Sequence, residues 1–265
     1  MAALDGFTES TSTFEGKARQ VFRRGSGPAV LVLSEIPGIT PSVADFARRV
    51  ADLGCTAVLP SMFGTPGRAP SPGYLAQSVS HACVSKEFAT WARNQTSPIT
   101  SWLKALAREE HERCGGPGVG VVGMCLTGGF ALAMMVDPVV AAPVLSQPSL
   151  PFVLSKGYKA DVNLTPADLA AVKARCEAEP DLCVLGLRFT GDRLAPGERF
   201  ATLRRELGDS FVGVEIDSSA GNAHGIRAAA HSVLTEDLVD EPGHPTRDAL
   251  DQVLELFRSR LLGGG

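Results

Sequence analysis

The chain has 265 residues, 44% hydrophobic and 20% charged, with a formal net charge of −4. That suits one large globular domain with a substantial core. It excludes the basic footprint of nucleic-acid binding, and no apolar run nears the roughly 18 residues that span a bilayer.

Met1–Gln20 lacks the basic start and apolar centre of a secretion signal, so a cytoplasmic location is expected. Ala29–Leu33 reads as a buried strand, followed by an amphipathic stretch at Val43–Leu53 and a short strand at Cys55–Leu59. A loop rich in proline and glycine, Gly64–Gly73, leads to helical patterns at Tyr74–Trp91 and Ile99–Arg113. Val119–Val122 and Val139–Leu145 read as strands flanking the helix-like run Phe130–Val136. Further along, Thr165 and Pro166 have the chemistry of a helix start, with the helix running to Glu179. Strands at Leu182–Phe189 and Phe211–Ile216 enclose a helix at Gly197–Leu207, and Asp248–Leu262 is the closing amphipathic helix. Continuous apolar strands alternating with helices predict an α/β fold: a mostly parallel central sheet covered on both faces. One domain over residues 1–265 is expected, with an insertion around 147–180.

The strand Val119–Val122 runs into Gly123-Met124-Cys125-Leu126-Thr127-Gly128-Gly129. Glycines around a cysteine between strand and helix let the chain turn sharply and present the thiol at the strand end, the geometry of a nucleophile elbow. The thiol needs a base, and the base an orienting acid. Asp192 follows the strand Leu182–Phe189. His224 follows Phe211–Ile216 in the small-residue loop Ser218–Gly225. His81 and His111 lie on predicted helices before the elbow, and His231 and His244 lack that loop, so position favours His224. Glu35 and Ile36 follow the first buried strand, where the N–H groups of Ile36 and Leu126 could converge on a developing oxyanion. A partly buried Glu35 facing Cys125 would be a proton acceptor for the thiol. The six cysteines, at 55, 83, 114, 125, 176 and 183, form no C-x-x-C pair, and no metal site is expected. No glycine-rich phosphate loop follows the first strand, so nucleotide binding is not expected.

Four segments in order, Glu35-Ile36-Pro37-Gly38, Gly123–Gly129, Asp192 four residues before Pro196, and His224, resemble the dienelactone hydrolase family. This is a branch of the α/β-hydrolase superfamily with a cysteine nucleophile, and the resemblance spans about Val30 to Arg227. It implies an α/β-hydrolase fold and a triad of Cys125, His224 and Asp192, with Glu35 as an accessory carboxylate on which the thiol rests. It further implies hydrolysis of a small-molecule ester or lactone through a thioacyl-enzyme, without a cofactor and without nucleic-acid or membrane partners. Arg227 is the candidate to hold a substrate carboxylate, although the family's arginine usually stands one residue further from the histidine. The segment Gln147–Pro180 is longer than the family pattern. Two other readings stand beside this one: a hydrolase-like module that binds without turnover, and a glutamate–cysteine protein of the redox-sensing or deglycating kind.

Overall fold

The computed structural model describes residues 3–84, 98–150 and 156–263. Its eight strands are β1 (Thr8–Phe14), β2 (Lys17–Gly25), β3 (Ala29–Leu33), β4 (Thr56–Pro60), β5 (Val119–Met124), β6 (Val140–Ser146), β7 (Val184–Phe189) and β8 (Phe211–Ile216). They form one sheet in the order β1-β2-β4-β3-β5-β6-β7-β8. From β4 onward in that order every neighbouring pair is parallel. Only β1 with β2 and β2 with β4 run antiparallel.

The first two strands are absent from the sequence reading because they do not look like core strands. β1 is almost wholly exposed and built from Thr, Ser and Glu. The hairpin closes through Glu15 and Gly16, both at positive φ (52° and 74°), as a tight turn between right-twisted strands requires. Contacts that tie this edge to the rest include the Trp102 indole, which donates to the Lys17 carbonyl at 2.9 Å, and Arg23, which pairs with the buried Glu110 at 2.6 Å.

Inside the sheet, successive residues of a strand serve opposite faces. Leu31 and Leu33 join one core and Val30 and Val32 the other. The first core is covered by the helices Pro98–Cys114, Gly128–Met134, Pro166–Ala178 and Gly197–Leu207, the second by Pro41–Asp52 and Pro245–Phe257. The helix starts follow side-chain chemistry: the Thr40 hydroxyl accepts from Val43 N at 3.2 Å, and Thr165 from Asp168 N at 3.0 Å.

A further helix covers Pro72–Val84; the rest of the pattern expected to Trp91 lies outside the described residues. In the segment 147–180 the described part holds a short helix, Lys156–Ala160, before the one at Pro166–Ala178. Among the described residues no helix is long and apolar enough to cross a membrane.

Candidate active site

Cys125 stands immediately after β5 at φ +56°, a left-handed conformation that costs a residue with a side chain about 1–3 kcal/mol and persists only where its surroundings enforce it. Here the neighbours enforce it. A Cβ on Gly123 would lie 2.2 Å from the Thr127 carbonyl, and one on Gly128 would lie 2.8 Å from Pro148 Cα. Both positions need glycine because backbone passes where a side chain would be. The Thr127 hydroxyl accepts from Met124 N at 2.8 Å and lies 2.8 Å from the Leu33 carbonyl, bonding the elbow to the end of β3. On the other side Ser149 N donates to the Cys125 carbonyl at 2.9 Å. Ile36 packs, partly buried, against the core cluster that contains Leu126 and borders Cys125.

Asp192 follows β7 and is buried. One carboxylate oxygen accepts from Leu194 N at 2.9 Å, and the other lies 2.7 Å from Nδ1 of a histidine. That histidine is His231, which corrects the expectation for His224. His224 is exposed, and its ring meets the His244 ring edge-on at 5.3 Å. The small-residue loop that pointed to it is a turn organised by Asn222, whose side-chain oxygen accepts from His224 N and Ile226 N. The chain then runs through Ala228-Ala229-Ala230 to His231, and Ala230, Val233 and Leu234 anchor this stretch in the second core. The only sequence signal for His231 is this one: small residues before it and core-forming residues after it. The two loops approach closely, since a Cβ on Gly191 would lie 2.7 Å from the Ala228 carbonyl.

Nε2 of His231, across the ring from the Asp192 contact, is buried. Burial opposes protonation of this ring, but the charge of Cys125, the Asp192 hydrogen bond and the Cys125 sulfur outweigh it and push its pKa up to about 11.

Glu35 is buried at the end of β3, and its bonds run toward the histidine loop: Ser232 Oγ donates at 2.7 Å, Thr235 Oγ1 also donates, and Gln147 Nε2 donates at 3.2 Å. Burial raises its pKa, partly offset by the two hydroxyls and by His231. The carboxylate therefore braces the residues beside His231. Asp237 supports the same loop from outside, accepting from His231 N at 2.8 Å and Ser232 N at 3.0 Å. Arg227, the expected substrate cation, is exposed and bonded to Asp237 at 2.8 Å.

One buried cation near the thiol had no signal in the sequence. Arg199 lies in the first turn of the helix Gly197–Leu207, beside Glu198, where a charged run reads as a solvated face. Among the described residues no cluster of His, Cys, Asp and Glu could hold a metal.

A mostly parallel sheet covered on both faces, with a cysteine elbow at the end of a central strand, defines an α/β-hydrolase. The model of the dienelactone hydrolase family matches residues 17–261, and the chain belongs to that family of ester and lactone hydrolases. No curated protein matches the sequence significantly. Among solved structures, a dienelactone hydrolase from Klebsiella pneumoniae is 20% identical, with 95% of this chain and 97% of that one covered at a TM-score of 0.59. The dienelactone-hydrolase-like promiscuous phosphotriesterase P91, from metagenomic libraries, is 17% identical, with 96% and 98% covered and a TM-score of 0.62. A cold-adapted esterase from an Arctic intertidal metagenomic library is 14% identical, with 97% and 95% covered and a TM-score of 0.60. At these identities the likeness is one of fold.

Proposed function

We propose that the chain, working as one α/β-hydrolase domain, cleaves a small-molecule ester or lactone through Cys125, His231 and Asp192. The observation that carries this reading is the 2.7 Å contact between His231 Nδ1 and the buried Asp192 carboxylate, on a ring whose pKa Cys125 raises. Asp192 fixes the tautomer and favours the imidazolium. The Cys125 thiolate attacks the carbonyl carbon, and the carbonyl π-pair moves onto oxygen, which the N–H groups of Ile36 and Leu126 receive. As the tetrahedral intermediate collapses, the C–O bond breaks and the imidazolium of His231 gives its proton to the leaving alkoxide. The now neutral ring takes a proton from water, which attacks the thioester. The acid leaves and the thiolate–imidazolium pair is restored. Glu35 keeps the histidine loop seated through Ser232 and Thr235. Because Arg227 is engaged by Asp237, a neutral ester or lactone is the favoured substrate class.

The test is hydrolysis of p-nitrophenyl acetate, a neutral lactone and an acidic dienelactone by wild type and variants. Cys125→Ala and His231→Gln should lose at least about a hundredfold in kcat/KM, and His224→Gln should keep wild-type rates. Full activity in His231→Gln with loss in His224→Gln would reverse the histidine assignment. Wild-type silence on all three substrates would favour a module that binds without turnover.

A further inference from the structure

Gln147 is fully buried just past the carboxyl end of β6, with its backbone at φ +35°. That left-handed conformation is unfavourable for a residue with a side chain. It is more so before Pro148, since a residue preceding proline ordinarily takes extended backbone. The main chain of Gln147 serves the nucleophile. Its carbonyl accepts from Ser149 Oγ at 2.9 Å, and Ser149 N donates to the Cys125 carbonyl at 2.9 Å. Gln147 N donates to the Leu187 carbonyl at 2.7 Å, which ties the turn to β7.

The side chain serves the histidine. Val233 N, two residues after His231, donates to Oε1 at 3.4 Å, and Ser146 Oγ bonds the same oxygen. A backbone N–H can only donate, so Oε1 must face Val233. Nε2 then faces Glu35 and donates to its carboxyl oxygen Oε2 at 3.2 Å. That oxygen also accepts from Ser232 Oγ at 2.7 Å. The carboxamide therefore grips the segment 232–233 twice, directly at Val233 and through Glu35 at Ser232. His231 immediately precedes this segment and bonds both Asp192 and the Cys125 sulfur. Gln147 thus links the chain beneath the nucleophile to the chain that carries its base.

Resting on the triad proposed above, we propose that Gln147 is a positioning residue: its carboxamide sets where the histidine segment sits over the elbow. The backbone strain fits this role, because strain persists only where surrounding contacts fix it and collects at functional sites. An apolar side chain of similar length would fill the space but leave Val233 N and Glu35 without this partner. Misplacing a reacting group by about 1 Å costs up to about a hundredfold in rate.

The experiment compares Gln147→Leu and Gln147→Glu with wild type by melting, by kcat and KM on p-nitrophenyl acetate, and by NMR titration of the His231 ring. His231→Gln assigns the ring signal. Gln147→Leu should melt lower and lose about tenfold or more in kcat, with KM within about twofold. Its His231 ring, displaced from Asp192 and Cys125, should release its proton about one pH unit lower than in wild type. Gln147→Glu keeps an acceptor for Val233 N, and its protonated carboxyl can donate to Glu35 in place of the amide. His231 and Glu236 are the other charged groups acting on Glu35. The two carboxyls share a proton at low pH and repel each other once both are charged. Relative to wild type, Gln147→Glu should therefore keep kcat within about threefold near about pH 5.5 and fall toward the Gln147→Leu level by about pH 8.5. A folded Gln147→Leu with wild-type kcat overturns the proposal, even if it melts lower. Loss of kcat with an unmoved ring titration overturns it as well, since the histidine has then not been displaced. So does a Gln147→Glu whose deficit is the same at every pH. If Gln147→Leu does not fold, Gln147→Glu decides alone by its pH dependence and ring titration. The NMR titration needs no turnover. An inactive wild type whose ring titration moves in Gln147→Leu would therefore sink the hydrolase reading and leave this one standing.

Discussion

At the Glu35 carboxyl, burial and hydrogen bonding act in opposite directions. Burial raises its pKa, while the hydroxyls of Thr235 and Ser232 favour the charged form, and burial prevails. The folded state therefore holds this proton to higher pH than the unfolded chain, whose ordinary value is 4.5. The associated stability is complete below 4.5 and is lost as pH rises from there to the folded value. Glu35→Gln has no such dependence and should gain on wild type as the pH of urea titrations rises from 4 to 8. A gap that stays constant across that range would mean that the carboxyl is not held protonated by the fold. The same residue shows what a sequence can signal: a carboxylate at the end of an apolar strand is visible as an anomaly, and the structure does bury it. Its partners are not visible, because Ser232 and Thr235 lie 197 and 200 residues away.

At the scale of elements, the elbow depends on a side chain between strand and helix. The Thr127 hydroxyl serves Met124 N and meets the Leu33 carbonyl, so it joins β5 to β3 where their loops diverge. Thr127→Val keeps the shape and strands a buried N–H. It should cost about 1–3 kcal/mol in chemical denaturation and lower kcat by misplacing Cys125 and Ile36 together. Stability and activity both at wild-type level would show that the bond is dispensable. The glycine pattern around Cys125 was legible because backbone contact at Gly123 and Gly128 leaves no alternative residue. The loop after β8 was misread for an equally physical reason. Small residues and Asn222 build turns as readily as active sites, and the position of His231 depends on Val233 and Leu234 packing into a core made of distant strands. The buried β3 to β6 announced themselves through apolar runs, and β7 and β8 through shorter ones interrupted by Arg188 and Glu215. β1 did not, since pairing at a solvated edge asks for no apolar pattern, and β2 offers only the short core pair Val21–Phe22 among charged and polar residues.

Across the whole molecule, that edge is fastened by an ion pair. Arg23 is 8% exposed and Glu110 0%, and Arg113 also reaches the Glu110 carboxylate. Removing Glu110 leaves the buried Arg23 with only the half-exposed Glu109 at 3.7 Å as counter-charge, so Glu110→Ala should lose about 3 kcal/mol in urea unfolding. A loss under about 1 kcal/mol would show that the hairpin is held by Trp102 and strand pairing instead.

The order in which the site residues occur along the chain also bears on biosynthesis. Glu35 and Cys125 are translated well before Asp192, and His231 with Ser232 and Thr235 comes later still. A nascent polypeptide on the ribosome therefore exposes a thiol on an unfinished sheet, with the acid and histidine of the proposed triad not yet made. The reactive arrangement cannot assemble until the segment after β8 has emerged and folded back across the growing domain. Incomplete translation products should for this reason lack the proposed hydrolase activity altogether rather than keep part of it.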